Sequence, residues 1–266
     1  MKKKVLLVGL LVVLVAAVSV GLTVAYLTSQ DSETNTFTVG NIGIDLIEQQ
    51  VNEAGTALET FEQDQVLLPI VGSAQGDKDK FGQPVAANYI DKIVTVKNTG
   101  KNDAWVRAYF AIPSALDDGY ETFNAGLNVL HFNFGNANGV STMDVQWKWT
   151  HDGKWNYFET TIDGVEYNVY FADYYQPLAA NAITEQFVSG VYLDKSFDQK
   201  ADGTYVAFGK DIDLTGMIDE NGVLKVNCPV KVVAVQAAGF NSADDAITNA
   251  FGAQYNPYGG EATNWQ

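Results

Sequence analysis

Apolar and polar residues alternate along most of this chain, with the two-residue period of strands that bury one face. The clearest alternation runs through residues 105–112 and gives that segment two distinct faces. The apolar face consists of Val106, Ala108, Phe110 and Ile112. The opposite face consists of Trp105, Arg107 and Tyr109. About ten such segments, separated by turn sequences rich in Gly, Asn and Asp, predict an all-β, antiparallel, jelly-roll-like sandwich.

One short helix is predicted near the C-terminus. Ser242 is a typical N-cap, Asp245 supplies the acid of a capping box, and Gly252 ends the apolar stripe. The remaining tail, residues 253–266, is predicted to be irregular. Residues 49–65 are polar and predict a loop or a short helix.

Two of the predicted strands are interrupted. Residues 34–46 change the parity of their apolar positions at residues 40–41, so a β-bulge or tight bend there would keep both sets facing inward. The apolar positions are Phe37, Val39, Ile42, Ile44 and Leu46. Residues 223–238 contain Pro229, which cannot donate to a strand ladder, and this predicts an edge strand or a bulged one.

The first 25 residues have the pattern of an export signal. Three lysines precede an uncharged apolar core over residues 5–18, and the small residues Thr23 and Ala25 allow cleavage before Tyr26. A retained membrane anchor is the alternative, because residues 5–29 carry no charge. We favour cleavage, since the steadily apolar core is shorter than the ~18 residues of a spanning helix. Residues 26–266 are then one domain, at the cell surface or outside the cell.

The charge of the chain excludes one class of function. The 266 residues include 32 acidic and 16 basic ones, and Arg107 is the only arginine. A chain this acidic is not a general nucleic-acid binder, because phosphate contacts need clustered Lys and Arg. Loss of residues 1–25 would remove three lysines and no acid, which leaves 13 basic and 32 acidic residues. Cys228 is the only cysteine, so no internal disulfide is possible, and we expect a small hydrophobe in a strand rather than a nucleophile.

Three motifs, in the same order along the chain, resemble one family of exported proteins. Residues 25–28 (AYLT) and 34–42 (TNTFTVGNI) resemble the signal junction and first strand of proteins cut by the SipW-type signal peptidase. Residues 96–100 (VKNTG) and 104–107 (AWVR) are similar to their hairpin. Residues 234–240 (AVQAAGF) resemble the run before their short helix. The family is that of TasA and the camelysin (CalY) proteins, and residues 114–210 carry no matching motif.

The resemblance implies a structural subunit of extracellular fibres or biofilm matrix. Such subunits assemble by donor-strand addition, in which the N-terminal strand of one subunit fills a groove in the next. The candidate donor here is residues 26–44, with Phe37, Val39, Ile42 and Ile44 as the polymerisation residues. The implied partners are other copies of this chain, related matrix subunits and the SipW-type peptidase. An ordinary first strand of the chain's own sheet is the alternative.

Two other functions compete with the structural one. Camelysin-type proteins have been classed as surface metallopeptidases, and His131 and His151 with an acid would be the candidate zinc ligands. No H-E-x-x-H motif is present, so we expect a strand residue and a turn residue instead. A monomeric module that binds polysaccharide or a host ligand is the other alternative. Its candidate stacking residues, which we expect to be core or cross-strand packing instead, are Trp147, Trp149, Trp155 and Tyr157.

Several acids are candidates for further chemistry. Paired acids that a glycosidase would need occur at Asp117-Asp118, Asp211 and Asp213, Asp219-Glu220, and Asp244-Asp245. None identifies an acid–base pair, and we predict no cofactor. Residues 198–203 weakly suggest a calcium loop through Asp198 and Asp202, but a solvated turn is the simpler interpretation. Arg107 is expected to form a structural salt bridge with an acid.

Overall fold

The computed structural model describes residues 28–31, 42–71, 77–78, 84–85, 88–119, 128–134, 146–220 and 224–266. Strands account for 45% and helices for 6%, which confirms the predicted antiparallel all-β sandwich with one short helix. Within the described ranges no helix is long and apolar enough to cross a membrane. The predicted export signal over residues 1–25 lies outside these ranges.

The described residues form twenty strands and one α-helix. The strands are β1 (Thr28–Asp31), β2 (Ile44–Val51), β3 (Leu58–Thr60), β4 (Asp77–Lys78), β5 (Pro84–Val85), β6 (Ile90–Asp91), β7 (Ile93–Asn98), β8 (Ala104–Pro113), β9 (Leu130–Phe134), β10 (Trp147–Lys148), β11 (Thr150–His151), β12 (Lys154–Trp155), β13 (Tyr157–Ile162), β14 (Val165–Tyr174), β15 (Val188–Leu193), β16 (Asp198–Gln199), β17 (Tyr205–Ala207), β18 (Lys210–Ile212), β19 (Val230–Gln236) and β20 (Ala262–Thr263). The α-helix is α1 (Ala243–Phe251), and a 3-10 helix spans Ser114–Leu116 directly after β8.

The largest sheet has seven strands in the order β1-β19-β8-β14-β13-β20, with β10 also paired to β14. Strand β8 lies at its centre and is buried along its whole length. The predicted alternation in β8 is confirmed: Val106 and Phe110 belong to one apolar core, and Trp105 and Tyr109 belong to another. A strand covered on both faces must be apolar on both, which explains why β8 has so few polar residues.

The main core lies between this sheet and a second layer. Two three-stranded sheets, β3-β2-β7 and β6-β15-β9, make up that layer. Backbone hydrogen bonds join them, from Phe187 N to Val94 O at 2.7 Å and from Lys92 N to Ser189 O at 3.2 Å. Phe110 of the large sheet meets Phe132 of the second layer with ring centroids 5.0 Å apart.

The other face of the large sheet is covered by α1 and the C-terminal tail. The predicted N-cap is confirmed, since Ser242 Oγ accepts a hydrogen bond from Asp245 N at 3.0 Å. Gly252 ends the helix with φ 98°, a left-handed conformation that favours glycine. The tail packs the Trp265 ring on Phe158, with centroids 4.2 Å apart. It is mostly irregular, as predicted, apart from the short strand β20.

The prediction of a loop or short helix at residues 49–65 is right for residues 52–57 and 61–65, which lie outside strands, and wrong for residues 49–51 and 58–60, which belong to β2 and β3. Strand β2 runs on to Val51 and pairs with β3, so this segment includes a β-hairpin. The Asn52 side chain closes the turn by accepting hydrogen bonds from Thr56 N and Ala57 N at 2.9 and 3.2 Å. The hairpin is largely exposed, so no buried face imposes the apolar alternation by which strands are identified from sequence.

The remaining sheets are small. They are the pairs β4-β5 and β11-β12 and the three-stranded sheet β16-β17-β18. The predicted turn at residues 151–154 is confirmed by the pairing of His151 with Lys154 in the β11-β12 hairpin.

Candidate functional site: the outer edge of strand β19

Strand β19 offers a strand-binding edge beside two apolar cores. On one side all seven of its residues pair with β8. On the other side four residues of β1 pair antiparallel with it, from Thr28 opposite Val235 to Asp31 opposite Val232. Val232, Val233, Ala234 and Val235 are fully buried. Without β1, β19 would be an edge strand with unpaired N–H and C=O groups flanked by apolar side chains.

Pro229 lies directly before β19 and faces β8 rather than the outer edge. The sequence predicts an edge or bulged strand here, and β19 begins at Val230, directly after the proline. The Pro229 carbonyl still accepts hydrogen bonds from Ala111 N at 3.1 Å and Tyr258 Oη at 2.9 Å. Since β1 pairs with the strand only from Val232 onward, β19 is an interior strand only where β1 is docked.

The predicted polymerisation residues fall into two groups. Phe37 and Val39 lie outside the described residues, as do Thr23, Ala25 and Tyr26 at the predicted cleavage site. Ile42 and Ile44 are 3% and 4% exposed and lie in the main core of their own chain. Ile44 also opens β2, where it pairs with Asn98. Their part in polymerisation stays a prediction.

An ion-pair network fixes α1 to the sheet next to β19. Arg107, opposite Val233 in the β8–β19 pairing, donates to both carboxylate oxygens of Asp173 at 2.6 and 2.8 Å and to Asp244 Oδ1 at 2.8 Å. Burial alone would lower the pKa of Arg107, but the two carboxylates raise it on balance. The expected salt bridge of the sole arginine is thereby confirmed, and it ties β8, β14 and the first turn of α1 together.

A second polar network is buried at the end of β8. Asp117 Oδ2 accepts hydrogen bonds from Tyr170 Oη at 2.7 Å, Asn168 Nδ2 at 2.8 Å and Gly119 N at 3.2 Å. Asp117 Oδ1 is buried and accepts none. Burial raises the pKa of Asp117, and the hydrogen bonds from Tyr170 and Asn168 oppose that rise. The sequence identified Asp117 only as one of several paired acids, because its side-chain partners Asn168 and Tyr170 are 51 and 53 residues away along the chain.

The two histidines do not form a metal centre with other described residues. His131 lies in β9, where its ring stacks on Tyr192 at 4.8 Å and its Nε2 is 3.7 Å from Asp194. His151 is exposed in the turn after β11, 3.5 Å from Asp152. Among the residues described, no three His, Cys, Asp or Glu side chains are grouped to hold a metal ion. Burial lowers the pKa of His131, although Asp194 raises it in part.

The candidate calcium residues lie in and beside a surface turn of the small three-stranded sheet. Asp198 Oδ1 accepts from Gln199 N at 2.8 Å, and Asp202 Oδ1 accepts from Thr204 N at 3.0 Å. These local bonds are typical of turns, where side-chain oxygens satisfy nearby backbone N–H groups.

The tryptophan cluster packs inside the protein, which confirms the packing interpretation. Trp147 and Trp149 are 1% exposed, and Trp149 stacks on Phe187 with centroids 4.5 Å apart. Trp155 and Tyr157 are also buried and pack on Tyr170. Stacking on a sugar needs an exposed ring face, so these four side chains do not form a sugar-binding surface.

Cys228 is half-buried and free, and it lies just before β19 rather than in a strand, so the predicted strand position is wrong. Burial raises the pKa of its thiol to about 12, so the thiol is protonated at neutral pH and is a poor nucleophile.

No protein-family model, curated protein or solved structure matches this chain. Its function is therefore inferred from the geometry of the β19 edge and from the motifs of the sequence.

Proposed function

We propose that this chain is a secreted structural subunit of extracellular fibres, of the TasA and camelysin type, which assembles by addition of its N-terminal strand to a neighbour. The observation that supports this proposal most directly is the edge of β19. A four-residue strand from the N-terminal segment completes that edge, beside four fully buried residues of β19. An edge with apolar residues on both faces binds an added strand through backbone hydrogen bonds and side-chain pockets.

The short pairing of β1 is suited to exchange between subunits. A backbone hydrogen bond contributes about 0.5–1.5 kcal/mol net, so four paired residues are held far less firmly than a strand paired along its length. If β1 leaves the edge of its own chain, the same segment of a neighbour can take its place with the same backbone hydrogen bonds. Each subunit would then donate one strand and accept one, which generates a filament.

The test is microscopy of the exported chain with and without its N-terminal segment. Negative-stain images of the chain that begins at Tyr26 are expected to show filaments, and deletion of residues 26–41 is expected to abolish them. The deletion stops before Ile42 because Ile42 and Ile44 belong to the core. Thermal unfolding of the deletion variant should still show a cooperative transition. Filaments that persist after the deletion would rule out strand addition.

The charge of the exported chain gives a further check. With 32 acidic and 13 basic residues after cleavage, subunits repel one another, and added salt screens that repulsion over about 10 Å at 0.1 M. Filament formation, followed by light scattering, is therefore expected to be faster with added salt, with divalent cations or at lower pH. Rates unaffected by all three would contradict this account of assembly.

A further inference from the structure

The second edge of the large sheet is covered by residues 261–266 of the C-terminal tail, which we call the strap. The strap contains β20, which lies beside β13 at the edge opposite β1. Strand β13 pairs with β14 along its whole length, but with β20 at two positions, Glu159 and Thr160. One further backbone hydrogen bond runs from Gln266 N to Tyr157 O at 3.0 Å. Both edges of this sheet are thus completed by a short added segment, β1 at one and the strap at the other.

An aromatic side chain anchors the strap to the sheet. The Trp265 ring stacks on Phe158 with centroids 4.2 Å apart, and it meets the Phe171 ring at 6.3 Å with 62° between the planes. Phe158 is fully buried and belongs to the core on the α1 face of the sheet. If the strap left this edge, the Phe158 ring would lose its cover and meet water, which is unfavourable. The edge therefore has an apolar pocket that fits a strand with an aromatic residue.

Polar contacts fix the register of the strap on β13. Asn264 Nδ2 donates to Glu159 Oε2 at 2.7 Å, and Thr160 Oγ1 donates to the Glu261 carbonyl at 2.9 Å. Strand addition of this kind takes its affinity from backbone hydrogen bonds and its specificity from side-chain contacts. The aromatic pocket and the amide contact together select the sequence of the strap in one register.

The strap is attached through two glycines and is held less firmly than the residues before them. Gly259 and Gly260 have φ values of 81° and 76°, in the left-handed region that favours glycine. Just before them, the Tyr258 hydroxyl donates to the Pro229 carbonyl at 2.9 Å. Of the six strap residues, four are exposed and two are half-buried. A segment with few buried contacts and exposed backbone hydrogen bonds opens at low cost, and the two glycines can act as its hinge.

We propose that the edge of β13 is a site of strand exchange, at which the strap of one copy of this chain occupies the edge of another copy. The occupant is a second copy because its strap has the same sequence, and so makes the same backbone, aromatic and amide contacts. Such an exchange replaces every contact that hinge opening breaks, and two subunits that accept each other's straps form a closed pair. The proposal does not rest on addition of the N-terminal strand, since β13 and β19 lie in different parts of the sheet.

Cysteine cross-linking of the exported chain, residues 26–266, tests this exchange. Glu159 and Thr263 are opposite each other in the pairing of β13 with β20, and directly opposite residues are close enough for a disulfide. Glu159→Cys and Thr263→Cys are made in separate chains, each with Cys228→Ala, then mixed and mildly oxidised. Denaturing, non-reducing gels are expected to show a mixed dimer, because a strap that crosses to another subunit brings the two thiols together.

The matched control is the pair Glu53→Cys and Thr263→Cys, since Glu53 is exposed in the turn between β2 and β3. The mixed dimer should be at least about tenfold more abundant with Glu159→Cys than with Glu53→Cys, because docking raises the effective concentration of the two thiols. Equal yields would overturn the proposal. Filaments formed through β1 cannot produce this cross-link by themselves, so the result is separate from that of the N-terminal deletion.

The anchor gives a second, asymmetric test. Trp265→Ala in the chain with Thr263→Cys weakens the strap that must cross, so the yield of mixed dimer should fall. The same change in the chain with Glu159→Cys loosens the strap that competes for the edge, so the yield should rise. Random collision of exposed thiols would give the same yield in both arrangements, and that outcome would also overturn the proposal.

Discussion

The centre and the outer edge of the large sheet use similar apolar residues but are held in place by different contacts. At the centre, the ten-residue strands β8 and β14 pair over seven positions, with cores on both faces. At the edge, the four residues of β19 that face β1 are fully buried as well, yet β1 pairs with β19 over these four positions only. The comparison shows that a strand can have a fully buried stretch although one of its neighbours pairs with it over only a few residues. Changes at the centre should therefore alter stability, and changes at the edge should alter assembly.

The largest expected effect is on the stability of the centre. Phe110 of β8 is fully buried against Phe132, so Phe110→Ala leaves a cavity and should lower the free energy of unfolding by about 3–5 kcal/mol. Urea unfolding measures this, and Phe61→Ala, at a half-buried ring after β3, is the control with the same side-chain loss. A similar loss of unfolding free energy in both variants would show that a buried ring at the centre of the sheet contributes no more to stability than a half-buried one outside it.

The second prediction concerns the two acids that bind Arg107. Asp173→Asn removes the carboxylate that binds Arg107 through both oxygens. The buried guanidinium then lacks its main counter-charge, and the free energy of unfolding should fall by about 3 kcal/mol. Asp244→Asn makes the same chemical change at a side chain that is 62% exposed, and should cost below about 1 kcal/mol. Thermal and urea unfolding of the two variants measure these losses of stability. If Asp244→Asn lost as much stability as Asp173→Asn, or more, Asp173 would not be the main partner of Arg107.

The sequence predicted most of the elements at the centre of the sheet, because burial imposes a regular spacing of apolar residues that is visible in the sequence. The two faces of β8, the cap at Ser242 and the end of α1 at Gly252 all depend on local spacing. The β2–β3 hairpin was missed because exposed strands need no apolar period. The Asp117 network and the pairing of β1 with β19 were also beyond sequence patterns, because their partners are remote in the chain. Asp117 has no local sequence feature that distinguishes it from the other acidic residues of the chain.

A third, smaller effect is the pH dependence that Asp117 gives to the centre. Burial raises its pKa in the folded chain, so the folded chain holds this proton to higher pH than the unfolded chain does. The contribution of this proton to stability is fully present below the pKa of an unfolded Asp, about 3.9, and is lost as pH rises through the raised pKa of Asp117 in the folded chain.

Urea unfolding over a series of mildly acidic to neutral pH values measures this dependence. Asp117→Asn keeps an acceptor for Tyr170 but cannot ionise, so the loss of stability with rising pH should be smaller than in the wild type. Asp45→Asn, at an exposed position of β2, should leave the wild-type slope unchanged. An unchanged slope in the Asp117 variant would show that another group controls the pH dependence.

The smallest expected effect on stability is at the edge, and it separates the two roles that the sequence left open for residues 26–44. If the N-terminal segment acts on a neighbouring subunit, Phe37→Ser/Val39→Ser should abolish filaments and change the free energy of unfolding of the monomer by less than about 0.5 kcal/mol. Thr36→Ser/Thr38→Ser changes the alternate positions of the same segment and should leave filaments intact. If these residues instead form an ordinary first strand of their own chain, the Phe37/Val39 variant should lower the free energy of unfolding of the monomer by several kcal/mol, as large-to-small changes at buried positions do. Because assembly and monomer unfolding are measured separately, the pair of results assigns the segment to its own subunit or to the next one.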